Sequence, residues 1–169
     1  YEVDGSIDTD SHFRKFFKYF KDECPHNEMD SFIDLLKNIE FISFRTKEEN
    51  VTYRGCGKDI YYPSDLLIKY FENKPDTRFV YLEDYNDYLS NENDKKLLKD
   101  FLIRIGVNEL PKILEVEISD SKIKQNLKLK SSTNGYYDRN YTYDKIIDGS
   151  SEIIQNINLD NSILLSKIL

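Results

Sequence analysis

Carboxylates, lysines and two thiols are the groups in this chain best suited to chemistry, and their spacing limits what each could do. Pro75-Asp76, with Asp120-Ser121-Lys122 much later in the chain, satisfies the loose pattern PD…(D/E)-x-K of metal-dependent nucleases. Such a site needs two carboxylates to hold a divalent cation and a lysine beside the attacked phosphate. An acidic chain offers many such pairs by chance, so the plain reading of Asp76, Asp120 and Lys122 is solvated surface charge. Lys122, Lys124, Lys128 and Lys130 form the one local basic feature, and no acidic residue lies between Ser121 and Tyr137. Lysines with tyrosines nearby suit phosphates and stacked bases, which makes these four the candidate nucleic-acid contacts. The same stripe, alternating with Ile123, Leu127 and Leu129, also describes an edge strand that lysines protect from aggregation, and that reading is preferred.

Other groups yield less. Cys24 and His26 lie two apart, but a zinc site needs three or four ligands, and no spacing motif draws in His12 and Cys56. Two cysteines make no disulfide framework, so both are read as reduced thiols of a cytoplasmic protein. Gly55-Cys56-Gly57-Lys58 resembles a phosphate cradle, but residues 60–62 read as a strand and not as a helix N-terminus, so a turn is expected. Glu115 with Glu117, and Glu83 with Asp87, share element faces and read as surface pairs. No catalytic acid, base, nucleophile, metal ligand or cofactor-binding residue is assigned.

Patterning defines the elements that must position these residues. Phe13, Phe16, Phe17 and Phe20 give one aromatic face to a helix over 11–23, capped by Ser11 and stopped by Pro25. A second helix is expected over 28–38. Strands at 41–44 and 51–53 read as a hairpin, with a third short strand at 60–62. Ser64 caps a helix with the stripe Leu66, Leu67, Tyr70 and Phe71, and a strand at 78–81 leads to a short helix at 83–89. Asp94 or Asn93 caps a helix carrying Leu97, Leu98, Phe101, Leu102 and Ile105, which Gly106 ends. A strand covers 113–118, and Ile146-Ile147, Ile153-Ile154 and Ile157 belong to a last helical part before a helix at 162–169. Phe16, Phe20, Leu36, Phe44, Leu67, Phe71, Phe101 and Leu102 are the expected core. The fold class is α+β, with helices packed on short antiparallel strands. Composition shifts near residue 119, dividing 1–118 from a lysine- and tyrosine-rich part at 119–169 that is either a separate subdomain or the same domain.

The 169 residues suit one domain or two small ones, and 39% hydrophobic with 14% aromatic content is that of a globular chain. Lys and Arg number 24 against 31 Asp and Glu, for a net charge of −7, so bulk charge does not recruit nucleic acid. Apolar runs are too short for a membrane span. Neither Trp nor Ala occurs, and Lys, Asn, Ile, Asp and Tyr abound, as AT-rich coding produces. A start at Tyr1 and an apolar helix at the far end give the expectation of a piece of a longer protein.

The run Ile60-Tyr61-Tyr62-Pro63-Ser64-Asp65-Leu66-Leu67-Ile68-Lys69-Tyr70-Phe71 continues as Lys74-Pro75-Asp76, Phe79-Val80, Glu83 and Tyr85. It goes on through Leu98, Phe101-Leu102, Ile105-Gly106-Val107 and Leu110-Pro111, then Ile147-Asp148-Gly149 and 161–165. Over roughly residues 38–169 this order resembles a middle region of large, mostly bacterial proteins that carry an N-terminal sacsin-type ATP-binding domain of the gyrase, histidine-kinase and chaperone ATPase class. The resemblance implies an auxiliary domain after the ATPase, relaying conformational change or serving as a docking surface in chaperone-like work or in DNA restriction and phage defence. It implies ATP for the parent protein and no cofactor in this segment, because the family's Asn-containing helix and glycine-rich lid are absent here. The implied partners are other domains of the same chain and other proteins. A nucleic-acid-binding or metal-dependent nuclease module is the alternative.

Overall fold

The computed structural model describes residues 9–48, 51–117, 143–155, 162–163 and 166–167. The fold class is α+β. Helix α1 (Thr9–Lys18) starts two residues before Ser11, so Ser11 falls inside the helix and not at the expected N-cap position. It runs directly into a π turn (Tyr19–Glu23) closed by Cys24 N–H donating to the Tyr19 carbonyl at 2.8 Å. Pro25 comes next, and α2 (Met29–Leu36) packs Ile33 and Leu36 inward.

The chain then crosses the core as β1 (Ile42–Arg45), whose Ile42, Ser43 and Phe44 are all buried. Its sequence, Ile-Ser-Phe-Arg, alternates apolar and polar as a half-exposed strand would, yet Ser43 is buried as deeply as its apolar neighbours because both faces of the strand are covered. It is the middle strand of a three-stranded sheet. On one side it pairs antiparallel with β2 (Tyr53–Gly55), placing Phe44 opposite Tyr53; the expected hairpin forms, with its second strand two residues later than 51–53. On the other side it pairs antiparallel with β3 (Phe79–Val80), placing Phe44 opposite Val80. The expected strand at 60–62 shrinks to bridges at Tyr61, parallel to both Phe79 and Asn108. A 3-10 turn (Gly57–Asp59) precedes it and leaves too little extended chain for more.

Helix α3 (Asp65–Tyr70) is capped by Ser64, whose hydroxyl accepts from Leu67 N–H at 3.3 Å. A 3-10 stretch (Leu82–Tyr88) leads to α4 (Glu92–Arg104). Its cap is Asn91, not Asn93 or Asp94: the Asn91 side chain accepts from Asp94 N–H at 3.0 Å. Asp94 sits in the first turn, buried, accepting from Ser90 N–H at 3.0 Å and from Lys21 at 2.6 Å. Gly106, at φ +104°, ends α4 as glycine alone does without strain.

Beyond α4, β4 (Ile113–Glu117) pairs antiparallel with β5 (Tyr143–Ile147), and α5 (Ser150–Gln155) comes after them. Ile146 and Ile147 are thus strand residues and not helical. Two adjacent isoleucines fit either period, and the pairing with Leu114 and Ile113 decides the matter.

Two clusters hold these elements. The larger gathers α1, α2, α4 and the sheet around Phe13, Phe17, Phe20, Phe41, Tyr85 and Phe101. Phe13 stacks on Tyr85 with ring centres 4.1 Å apart and meets Phe101 edge-on at 5.8 Å. The smaller joins Tyr61, Leu67, Tyr70, Phe71 and Ile153. Of the expected core, only Phe16 is partly buried, packed against the larger cluster's edge.

Candidate functional site

A cleft of about 670 Å³ opens between α3 and the β1–β3 side of the sheet. Its apolar lining comes from Pro63, Ile68, Phe71, Phe79, Val80 and Tyr81. Phe79 and Val80 come from β3 and Tyr81 from just after it; Ile68 comes from α3 and Phe71 from its C-terminal cap, three residues on and so on the same helical face. Ile68 is 50% exposed, although α3 has a fully buried Leu67 to anchor it. Sheet-side cations rim the cleft. The Arg45 guanidinium lies 3.5 Å over the Tyr81 ring while its Nε donates to Thr52 Oγ1 at 2.9 Å. Lys47 Nζ donates to the Glu72 carbonyl at 3.0 Å. The helix wall carries Asp65, Lys69 and Glu72.

Lys74 and Thr77 belong both to this cleft and to a smaller polar recess of about 190 Å³, shared with Asp59, Tyr61, Asp76, Arg78, Lys112 and Asp148. Asp148 is the centre of the recess. It is 7% exposed and both of its oxygens are engaged, one by Tyr61 O–H at 2.7 Å and the other by Lys74 Nζ. Tyr61 Oη in turn accepts from Lys112 N–H at 3.2 Å, and Asp148 N–H donates back to the Lys112 carbonyl at 2.8 Å. Residues that flank β4 and β5 are thereby tied to the Tyr61 bridge and to the loop before β3.

The electrostatics keep protons in place. Burial pushes the Tyr61 hydroxyl well above the ordinary tyrosine range; the Lys112 amide opposes this and the Asp148 carboxylate adds to it. Burial disfavours charge on Lys74, but the Asp148 hydrogen bond and charge outweigh it and hold the ammonium above its ordinary value. Tyr70 is pushed up to about 12, by burial first and then by Asp148 and Glu152. Its buried hydroxyl has no hydrogen-bond partner among the described residues. Two carboxylates are held below their ordinary range: Lys21 and then Ser90 N–H lower Asp94, and Lys95 lowers Glu92. A general acid requires the opposite shift, toward neutrality.

Asp76 lies exposed in the turn before β3 and lines the polar recess. Its proposed partners Asp120 and Lys122 lie outside the described residues, as do Lys124, Lys128 and Lys130. Cys24 and Cys56 are both free thiols, and no group of three His, Cys, Asp or Glu able to hold a metal occurs among the described residues. Gly57 packs against the end of α4, and Lys58 belongs to a 3-10 turn, so the turn reading of Gly55–Lys58 holds. Glu83 and Asp87 are exposed, as is Glu115.

Sequence reasoning missed the cleft and the buried Asp148. The cleft is made of residues that look like surface in each element separately. Asp148-Gly149 carries only a turn signal, and the partners that make its burial tolerable are far away in the chain. No helix among the described residues is long and apolar enough to cross a membrane. No family model, curated protein or solved structure matches this chain.

Proposed function

We propose that this chain is a non-catalytic auxiliary scaffold or interaction domain. On the resemblance over residues 38–169, we place it in a multidomain sacsin-like ATPase protein with a chaperone-like or DNA-restriction and defence role. The observation that carries the interaction reading is the cleft, an apolar floor with half-exposed Ile68 between charged rims. Monomeric proteins rarely leave such a concave apolar surface without use. The ionisable groups withdrawn from water are committed to closed pairs: Asp94 with Lys21 and Ser90, Asp148 with Lys74 and Tyr61. Such pairs fix geometry, and neither carboxylate is left free to act as a base. ATP is bound by another domain of the parent, whose partners include the other domains of its own chain.

Two measurements test this reading. The reading frame upstream of Tyr1 is expected to encode an ATP-binding domain, and a frame that encodes none removes the sacsin-like part. The chain is then incubated with Mg²⁺ or Mn²⁺ and single-stranded or duplex DNA. No cleavage is expected, nor measurable affinity at physiological salt. Cleavage lost in Asp76→Ala would replace the interaction reading with the nuclease module. Salt-sensitive binding lost on substituting Lys122, Lys124, Lys128 and Lys130 would replace it with a nucleic-acid-binding one.

A further inference from the structure

We infer that the cleft between α3 and β1–β3 takes an acidic peptide segment with an apolar anchor, an inference that rests on the interaction reading above. The floor sets the first requirement. Ile68, Phe71, Phe79 and Val80 offer an apolar seat, and a cavity of about 670 Å³ holds one or two large side chains with their backbone. The rims set the second. The charged groups that line the β1 side, Arg45 and Lys47, are both cations, on a chain whose net charge is −7.

These cations are held in advance. Arg45 rests on Tyr81 and is tied through Nε to Thr52, and its two terminal nitrogens have no hydrogen-bond partner among the described residues. That leaves the fork which binds carboxylates best. Lys47 is fixed by the Glu72 carbonyl. Lys69, exposed on α3, has no ion pair among the described residues. Lys74 is neutralised by Asp148 and contributes nothing to the field.

The helix wall argues against a nucleic acid. Asp65 and Glu72 face the same cleft and would repel a continuous line of phosphates. A peptide can turn its carboxylates to the sheet side and its neutral or basic groups to the helix side. The apolar floor, moreover, gains nothing from a sugar–phosphate backbone.

The test is a selection of random dodecapeptides displayed on phage against the chain, with the Ile68→Asp chain as counter-selection. Ile68 is half exposed, so Ile68→Asp should keep the melting temperature of the parent chain, and Ile68→Ala serves as a second variant. Enriched peptides are expected to carry one or two large apolar residues beside an excess of Asp and Glu. Their affinity should fall at least about tenfold on Ile68→Asp, fall on Arg45→Gln, and weaken as salt rises. Enrichment of apolar peptides with basic flanks would overturn the acidic partner and leave the interaction reading standing. Peptides bound equally well by Ile68→Asp, or no enrichment at all, would overturn the cleft as their seat. The interaction reading falls separately, by the cleavage and DNA-affinity assays. Binding of labelled oligothymidylate abolished by Arg45→Gln would assign the cleft to single-stranded nucleic acid instead.

Discussion

In the larger cluster, Phe13, Phe17, Phe20, Tyr85 and Phe101 bury ring against ring, and the one hydroxyl among them accepts from Ser43 N–H at 2.7 Å. In the smaller cluster, Tyr61 and Tyr70 bring two hydroxyls inside, beside Asp148 and Lys74. One of these hydroxyls is doubly bonded and the other has no partner among the described residues. The first region gains stability from dry aromatic packing, which is non-directional and tolerates little loss of volume. The second depends on a few directional contacts whose removal leaves a charge or a donor stranded. The cleft is built against this second region, through Phe71, Phe79 and Lys74. Binding surfaces often sit where a fold's stability is lowest, because local adjustment costs least there.

Three sets of substitutions would sharpen or break that contrast. The largest effect belongs to the aromatic cluster. Phe101→Ala removes a ring with no solvent exposure, surrounded by Phe13, Phe17 and Phe20 at 5.0 to 5.8 Å. A loss of about 3–5 kcal/mol in urea unfolding is expected. A loss below about 1 kcal/mol would show that the rings are not the main support.

Next is Asp148→Ala, which strands Lys74 and Tyr61. Because Lys74 is 26% exposed, water softens the penalty to about 2 kcal/mol. The pairing also predicts a direction with pH. Lys74 is held above its ordinary value, so its contribution is fully present below the unfolded-state lysine pKa and is lost as pH rises through the higher folded value. The wild-type advantage over Asp148→Ala should therefore shrink at strongly alkaline pH to the part that the Tyr61 hydrogen bond supplies. An advantage that does not shrink there would exclude the ion pair as a contributor.

The smallest and most diagnostic comparison uses two tyrosines. Tyr85→Phe should destabilise by about 1 kcal/mol, because it orphans the Ser43 amide. Tyr70→Phe removes a hydroxyl that makes no hydrogen bond among the described residues and should be neutral or stabilising by up to about 1 kcal/mol. Equal losses in both variants would erase the distinction between the regions.

The helices and their inward faces were readable because their evidence is local. The stripe Leu98, Phe101, Leu102 and Ile105, the Ser64 cap and the Gly106 stop each require only a few neighbouring residues. Asn91 and Asp94 were harder. Asn91, Asn93 and Asp94 are all good capping types; the sequence pointed to Asp94 or Asn93, whereas Asn91 caps the helix and Asp94 is drawn under Lys21 from a distant helical turn. Ile146 and Ile147 became strand through a partner beyond a long intervening segment, information that no window along the chain contains. The candidate site was the least legible part. Arg45, Ile68, Lys69 and Tyr81 belong to three separate parts of the chain and carry no motif; only the fold makes them neighbours.

The seam between the 3-10 turn and the end of α4 bears on how distant kin of this chain could be found. A Cβ on Gly57 would lie 2.5 Å from the Ile105 carbonyl oxygen, a backbone atom that cannot rotate aside. Gly55 differs, since its nearest neighbour at 3.0 Å is the Phe44 ring, which can shift. Next to the seam, the Asn108 side-chain amide donates to the carbonyls of Lys58 and Ile60 at 3.1 and 2.9 Å. Aromatic and aliphatic core positions can exchange among themselves as lineages diverge, but this backbone contact admits no larger side chain at 57. A glycine before the Tyr61 bridge, set against Gly106-Val107-Asn108 after the long helix, is thus the sequence feature this seam leaves least free to change.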